Sequence, residues 1–169
     1  MYGICVFFAQ SKLISTIFAV TSSGGIYTID TSGPADFLWA ENPVVNRVII
    51  QSGPLREALS ELEWWGNSLE LMMSPKAPHM QIMSNGDHGS CSISFPSDCE
   101  VFDEYVCREI RTEVYKSQWI QCFFKALSLS EKACLRMNSN GMLSVQLMIR
   151  DDSPVTTFVE FLLCAESAG

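Results

Sequence analysis

Apolar residues along this chain change period several times, and each change marks an element. Val44 to Ile50 is a β-branched run and predicts a strand. Directly after it, Leu55, Ala58, Leu59 and Leu62 fall at i, i+3, i+4 and i+7, which is one stripe of a helix. Arg56, Glu57, Ser60 and Glu61 fill the other side. Ser52 stands where an N-cap is expected, Pro54 sits in the first turn, and Gly66-Asn67 is the expected stop. Three strand-like segments follow: Ser68 to Met73, His79 to Met83 and Cys91 to Phe95. Pro75, Pro78 and Asn85-Gly86 separate them, and Asn85 to Ser90 reads as a hairpin connection.

Past Pro96 the order starts again. Val101 to Tyr115 holds strand formers interrupted by charges, so part of it is a strand. Ser117 to Ser128 is helical, with Trp119, Ile120, Phe123, Phe124 and Leu127 on its apolar face and Gln118, Gln121 and Lys125 opposite. Ala133 to Met137, Leu143 to Ile149 and Thr156 to Leu163 then read as strands, with turns at Asn138 to Gly141 and Asp151 to Pro154. The pattern is two copies of β-α-β-β-β, an internal structural repeat without evident sequence identity. It predicts an α+β fold with antiparallel sheets and both helices on one side.

Ahead of these repeats, Ile26 to Ile29 is a short strand signal, and Thr31 to Pro43 is an irregular connector. Phe37, Leu38 and Trp39 interrupt its polarity, which predicts a connector docked on the body. Met1 to Val20 is apolar, but Lys12 divides it, so neither part approaches the ~20 residues of a membrane helix. The charge also follows the first apolar run, whereas a signal peptide has it before.

Composition narrows the function. Of 169 residues, 47% are hydrophobic and 18% charged, enough for a core. The net charge of −8 argues against a free-standing nucleic-acid binder, though not against a local basic face. The seven cysteines include no C-x-x-C pair, and with only two histidines they make a poor zinc set. They are expected to be reduced thiols; no metal or cofactor is expected.

Several segments together resemble a known family. Val44 to Ile50 followed by Leu55 to Leu62 is similar to the strand and helix that open the second domain of the Rad-one family of checkpoint sliding-clamp subunits. Met73-Ser74-Pro75, Tyr115-Lys116, Lys125-Ala126-Leu127, Gly141 to Gln146, Met148-Ile149-Arg150 and Phe158 to Phe161 continue the likeness, colinear as far as Ala165. The resemblance implies the fold of proliferating cell nuclear antigen. It also implies a non-catalytic subunit of a heterotrimeric ring in the nucleus, acting in the DNA damage checkpoint and repair. The implied partners are Rad-nine and Hus-one type subunits, a clamp loader, and double-stranded DNA passing through the ring without sequence specificity. On this reading residues 44–165 are one clamp domain and 23–43 are a residual strand and interdomain connector. Residues 1–22 match no family segment, and 166–169 are a tail. A truncated adapter unable to close a ring is the alternative, with a 3'-5' exonuclease ranked behind it.

In such clamps the helices face the DNA backbone, and sliding needs only a few cations that attract phosphate without gripping bases. Arg56, Lys116 and Lys125 are the DNA-facing candidates, diluted by Glu57, Glu61 and Glu63. Gln121 stands where a basic residue would be expected. Phe37, Leu38 and Trp39 are the partner-binding candidates, flanking a groove under the connector or plugging a gap between domains. Trp64 and Trp65 could stack on bases or cap the sheet. Asp98, Glu100, Asp103 and Glu104 form the one acidic cluster to weigh for two-metal nuclease chemistry; it reads better as a solvated acidic turn. His79 and His88 read as surface or turn residues. The free edge of the domain, Val101 to Ile110 or a neighbouring hairpin strand, is expected to pair across a subunit boundary.

Overall fold

The structure is a computed structural model that describes residues 6–9, 39, 41–62, 67–86, 89–150 and 156–166. The strand signal at Ile26 to Ile29 lies outside them, as do Phe37, Leu38, Trp64, Trp65 and His88. Among the described residues, β1 (Val6–Ala9) stands ahead of the two repeats. The first repeat is β2 (Val44–Gln51), α1 (Ser52–Glu61), β3 (Ser68–Met73), β4 (Met80–Gly86) and β5 (Gly89–Phe95). A linking strand β6 (Phe102–Cys107) precedes the second repeat. That repeat is β7 (Arg111–Lys116), α2 (Ser117–Leu127), β8 (Lys132–Asn138), β9 (Leu143–Arg150) and β10 (Thr156–Leu163). No described helix is long and apolar enough to cross a membrane.

The duplicated α+β pattern is thus present, with Val101 to Tyr115 resolved into two strands. A six-stranded antiparallel sheet runs β1-β10-β9-β8-β2-β6, and a four-stranded one runs β5-β4-β3-β7. Each repeat gives its first strand to the other. β2 pairs with β8, Val48 opposite Leu135, while β7 pairs with β3, Tyr115 opposite Leu69. The helix starts mirror this exchange. The Ser52 N–H donates to the Glu131 carbonyl at 3.0 Å, and the Ser117 N–H donates to the Asn67 carbonyl at 2.8 Å.

One core joins both sheets and both helices. Val48, Ile50, Leu135, Val145, Leu147 and Phe161 enter it from the large sheet, and Leu69, Leu71, Met80, Ile82 and Tyr115 from the small one. Leu55, Ala58, Leu59 and Leu62 are all buried, as the spacing predicts. In α2 the buried stripe is Ile120, Phe123 and Leu127, with Trp119 and Phe124 packed at its margin.

Two local expectations change. Ser52 is not a side-chain cap: Gln51 is the N-cap residue, and the Ser52 hydroxyl is buried 2.7 Å from that of Ser130. The interior offers Ser52 a tertiary partner, which wins over the local bond. The helix also stops at Glu61, short of Gly66-Asn67, with Leu62 turned into the core. Asn67 is needed elsewhere, where its carbonyl receives α2.

Candidate functional site

The helix layer comes first, because α1 and α2 touch and share the core. Each follows directly on a strand, so burying one stripe exposes the other. On α1 the exposed residues include Arg56, Glu57, Ser60 and Glu61; on α2 they include Gln118, Gln121, Cys122 and Lys125. Lys116 is the half-exposed N-cap residue of α2. None of Arg56, Lys116 or Lys125 makes an ion pair among the described residues. Counting from the first residue of each helix, Gln121 occupies in α2 the place of Arg56 in α1, and Lys125 that of Ser60. Each helix therefore offers one such cation, one turn apart in register, beside the carboxylates of Glu57 and Glu61.

Trp39 is the described part of the apolar connector. It packs against Met142, as Cys164 also does, and the Arg136 guanidinium lies 5.7 Å from its ring centroid. Arg136 is itself fixed across three strands: it donates to Glu160 at 2.6 Å and to the Ser144 hydroxyl at 3.1 Å. The ring thus sits on a pre-set cation, which docks Trp39 on the sheet.

The acidic cluster does not converge. Asp103 pairs with Lys132 at 2.5 Å and Glu104 with Arg47 at 3.3 Å, while Asp98 and Glu100 are exposed. No group of three or more potential metal ligands occurs among the described residues. A cleft of about 400 Å³ beside β6 brings His79 and Cys107 to the same wall, together with Tyr105 and Phe102. Cys107 is a poor nucleophile there. Burial raises its pKa, favouring the thiol, whose single hydrogen has the Asn46 side-chain oxygen and the Glu109 carbonyl as acceptors, each at 3.2 Å. His79 sits at a turn, half-buried, with its Nδ1 unpartnered. The six described cysteines are unbridged.

Sequence reasoning missed Asn46. It is fully buried, and its side-chain oxygen accepts from the N–H groups of Arg108 and Glu109 at 3.0 and 3.2 Å. Its amide nitrogen donates to the Glu109 carbonyl at 2.9 Å. One side chain thereby fixes the whole bend between β6 and β7. The available signal was a lone amide inside a β-branched run.

The sequence that builds this fold has matches among known proteins. The sequence model of the family described as "Repair protein Rad1/Rec1/Rad17" matches residues 11–149. The chain belongs to the Rad1 family. It is similar to the human cell cycle checkpoint protein RAD1, 34% identical over 85% of this chain and 53% of that protein. The Mus musculus checkpoint protein RAD1 matches with the same identity and coverage. The Drosophila melanogaster DNA repair protein Rad1 is 26% identical, again over 85% and 53%. The chain thus spans about half the length of these Rad1 relatives. The names of these relatives describe checkpoint and repair proteins and state no catalytic activity. The Rad1 match begins at residue 11, so it takes in part of the 1–22 segment to which sequence reading assigned no family counterpart.

Proposed function

We propose that this chain supplies one clamp domain of a non-catalytic subunit in a heterotrimeric nuclear ring that encircles double-stranded DNA. The ring would be completed by Rad-nine and Hus-one type subunits, placed on DNA by a clamp loader, and used to recruit checkpoint and repair factors. The observation that carries this reading is the helix layer. Two adjacent helices on one core expose Arg56 and Lys125, neither in an ion pair among the described residues, in a chain of the Rad1 checkpoint family. Few and unpaired cations suit a surface that follows the phosphate backbone without stopping on a sequence.

A sheet edge supports the ring half of the proposal. β5 ends the small sheet with an open side among the described residues, so it offers unpaired backbone groups to a neighbouring subunit. Trp39 on Arg136 supports a connector that presses on the outer sheet, with Phe37 and Leu38 proposed to extend that surface toward partner peptides. Catalysis has no part in the proposal, since Asp103 and Glu104 are engaged by basic neighbours.

The test is co-expression of this chain with the two partner subunits. Recovery of a stable complex supports the ring role; failure to associate with either partner removes it.

A further inference from the structure

One groove takes no lining residue from either helix or from the connector tryptophan. It has a volume of about 340 Å³ and runs between the start of β2 and the end of β6. Val44 and Val106 give it apolar walls, and Arg47 and Arg108 stand over it. Arg47 shares its charge with Glu104 at 3.3 Å. Arg108 has no ion pair among the described residues, and Glu109 beside it is taken by Arg111 at 3.1 Å. The lining carries two arginines against one glutamate, a net positive groove on a chain of net charge −8.

The rim is built, not loose. Asn46 holds the backbone of Arg108 and Glu109 from beneath with three hydrogen bonds. That support sets out Val106, Arg108 and Ile110 on alternate positions, all exposed, with Ile110 at 64%. Of the four exposed large hydrophobics among the described residues, two are therefore in this one stretch. β6 is also an edge strand, and no described strand pairs with its outer side. A fixed bend, two exposed aliphatic side chains, an available guanidinium and an open strand edge fit an extended peptide. The backbone edge supplies pairing, and alternate side chains supply selection.

We propose that the groove between β2 and β6 is a docking site for an extended acidic peptide segment of a partner protein. An aliphatic side chain of that segment rests between Val44 and Val106, and its carboxylates meet Arg108 and Arg47. The site stands on its own residues and does not depend on ring closure or on DNA.

The probe is a fluorescein-labelled peptide of about eight residues alternating valine and glutamate, long enough to run along β6 at ~3.3 Å per residue. Its control alternates valine and lysine. Anisotropy titration of the full chain is expected to show binding of the acidic peptide only. Arg108→Glu is expected to weaken it by about tenfold or more, the size of one charge-assisted hydrogen bond, and Ile110→Ser to weaken it too. Because Arg108 and Ile110 are exposed, both variants keep the fold, which amide spectra verify. Shifts on peptide addition are expected to cluster at Val44 to Arg47 and Val106 to Ile110. Equal binding of the lysine peptide, indifference to Arg108→Glu, or shifts elsewhere would overturn the proposal. So would concentration-dependent self-association abolished by Ile110→Ser, which makes a second copy the occupant. Displacement of the acidic peptide by a duplex oligonucleotide, with shifts at the same amides, would reassign the groove to nucleic acid.

Discussion

The phenol of Tyr115 donates a 2.7 Å hydrogen bond to the carbonyl of Gly141. Tyr115 belongs to the small sheet and Gly141 to the turn between β8 and β9 of the large one, so this bond ties the two sheets at one end. Tyr115 is fully buried, leaving no water to replace it. Tyr115→Phe is expected to cost about 1–3 kcal/mol, because the Gly141 carbonyl loses its donor in the interior. Urea unfolding measures this; a loss below the error of that experiment would show that the sheets do not rely on the bond.

Gly141 is demanding in a second way. Its φ is +77°, and an added Cβ would meet the Glu113 carboxylate at 2.5 Å. Glu113 also holds Arg111 at 3.6 Å. Gly141→Ala is therefore expected to destabilise by about 1–2 kcal/mol through backbone conformation alone, and more through displacement of Glu113. Combining it with Glu113→Ala should recover the displacement part. If the double variant is no better than Gly141→Ala, the clash contributes nothing.

Asn46 carries the bend at Arg108. Asn46→Ala strands two N–H groups and one carbonyl that are otherwise satisfied by its side chain. The expected cost is about 2–3 kcal/mol. Faster hydrogen exchange should appear at Arg108 and Glu109 before it appears in the core strands. Uniform acceleration across the domain would instead mean that Asn46 supports the whole fold and not the bend.

Two tyrosines shape the alkaline limit. Burial raises the pKa of Tyr105 and of Tyr115, the latter helped by the nearby Glu113 charge. An unfolded tyrosine titrates near ~10. The native state therefore holds these protons longer, and their contribution is complete below pH ~10 and lost as pH rises toward the folded values. Urea midpoints should fall above pH ~10, and the Tyr105→Phe, Tyr115→Phe double variant should fall less steeply. Parallel slopes would assign the alkaline loss to other groups.

The helix layer predicts weak, salt-sensitive attraction to duplex DNA. Arg56→Ala with Lys125→Ala is expected to lower the slope of log K against log salt by ~0.9 for each phosphate no longer neutralised, so about 1.8 for the pair. Anisotropy at low salt reads this. An unchanged slope would place DNA elsewhere or nowhere on this chain.

Much of this fold was legible because its elements are local. The stripe Leu55, Ala58, Leu59 and Leu62 and the β-branched run at Val44 to Ile50 need no distant partner to be recognised. What was not legible depends on distance in the chain. Ser52 looks like a cap until Ser130 is brought to it, 78 positions later. The free edge expected at Val101 to Ile110 came by analogy with the family; that β2 pairs with β8 on its other side is visible only in the structure. For the candidate sites, exposure of Arg56 and Lys125 followed from helical phase. The groove at Arg108 did not, because it is assembled from two strands far apart in the chain that pair side by side.

The exchange of first strands has a consequence for how such a domain could arise. A lone β-α-β-β-β unit would have its first strand with nowhere to pair and a three-strand sheet lacking its fourth. Two identical copies cure both defects by trading that strand, giving a symmetric pair. A duplicated gene then needs only a tether, here the stretch through β6, to turn the pair into a single chain. The repeat in this protein is accordingly not a small domain used twice. It is one half of a handshake, and the ancestral unit able to stand alone would already have been a dimer.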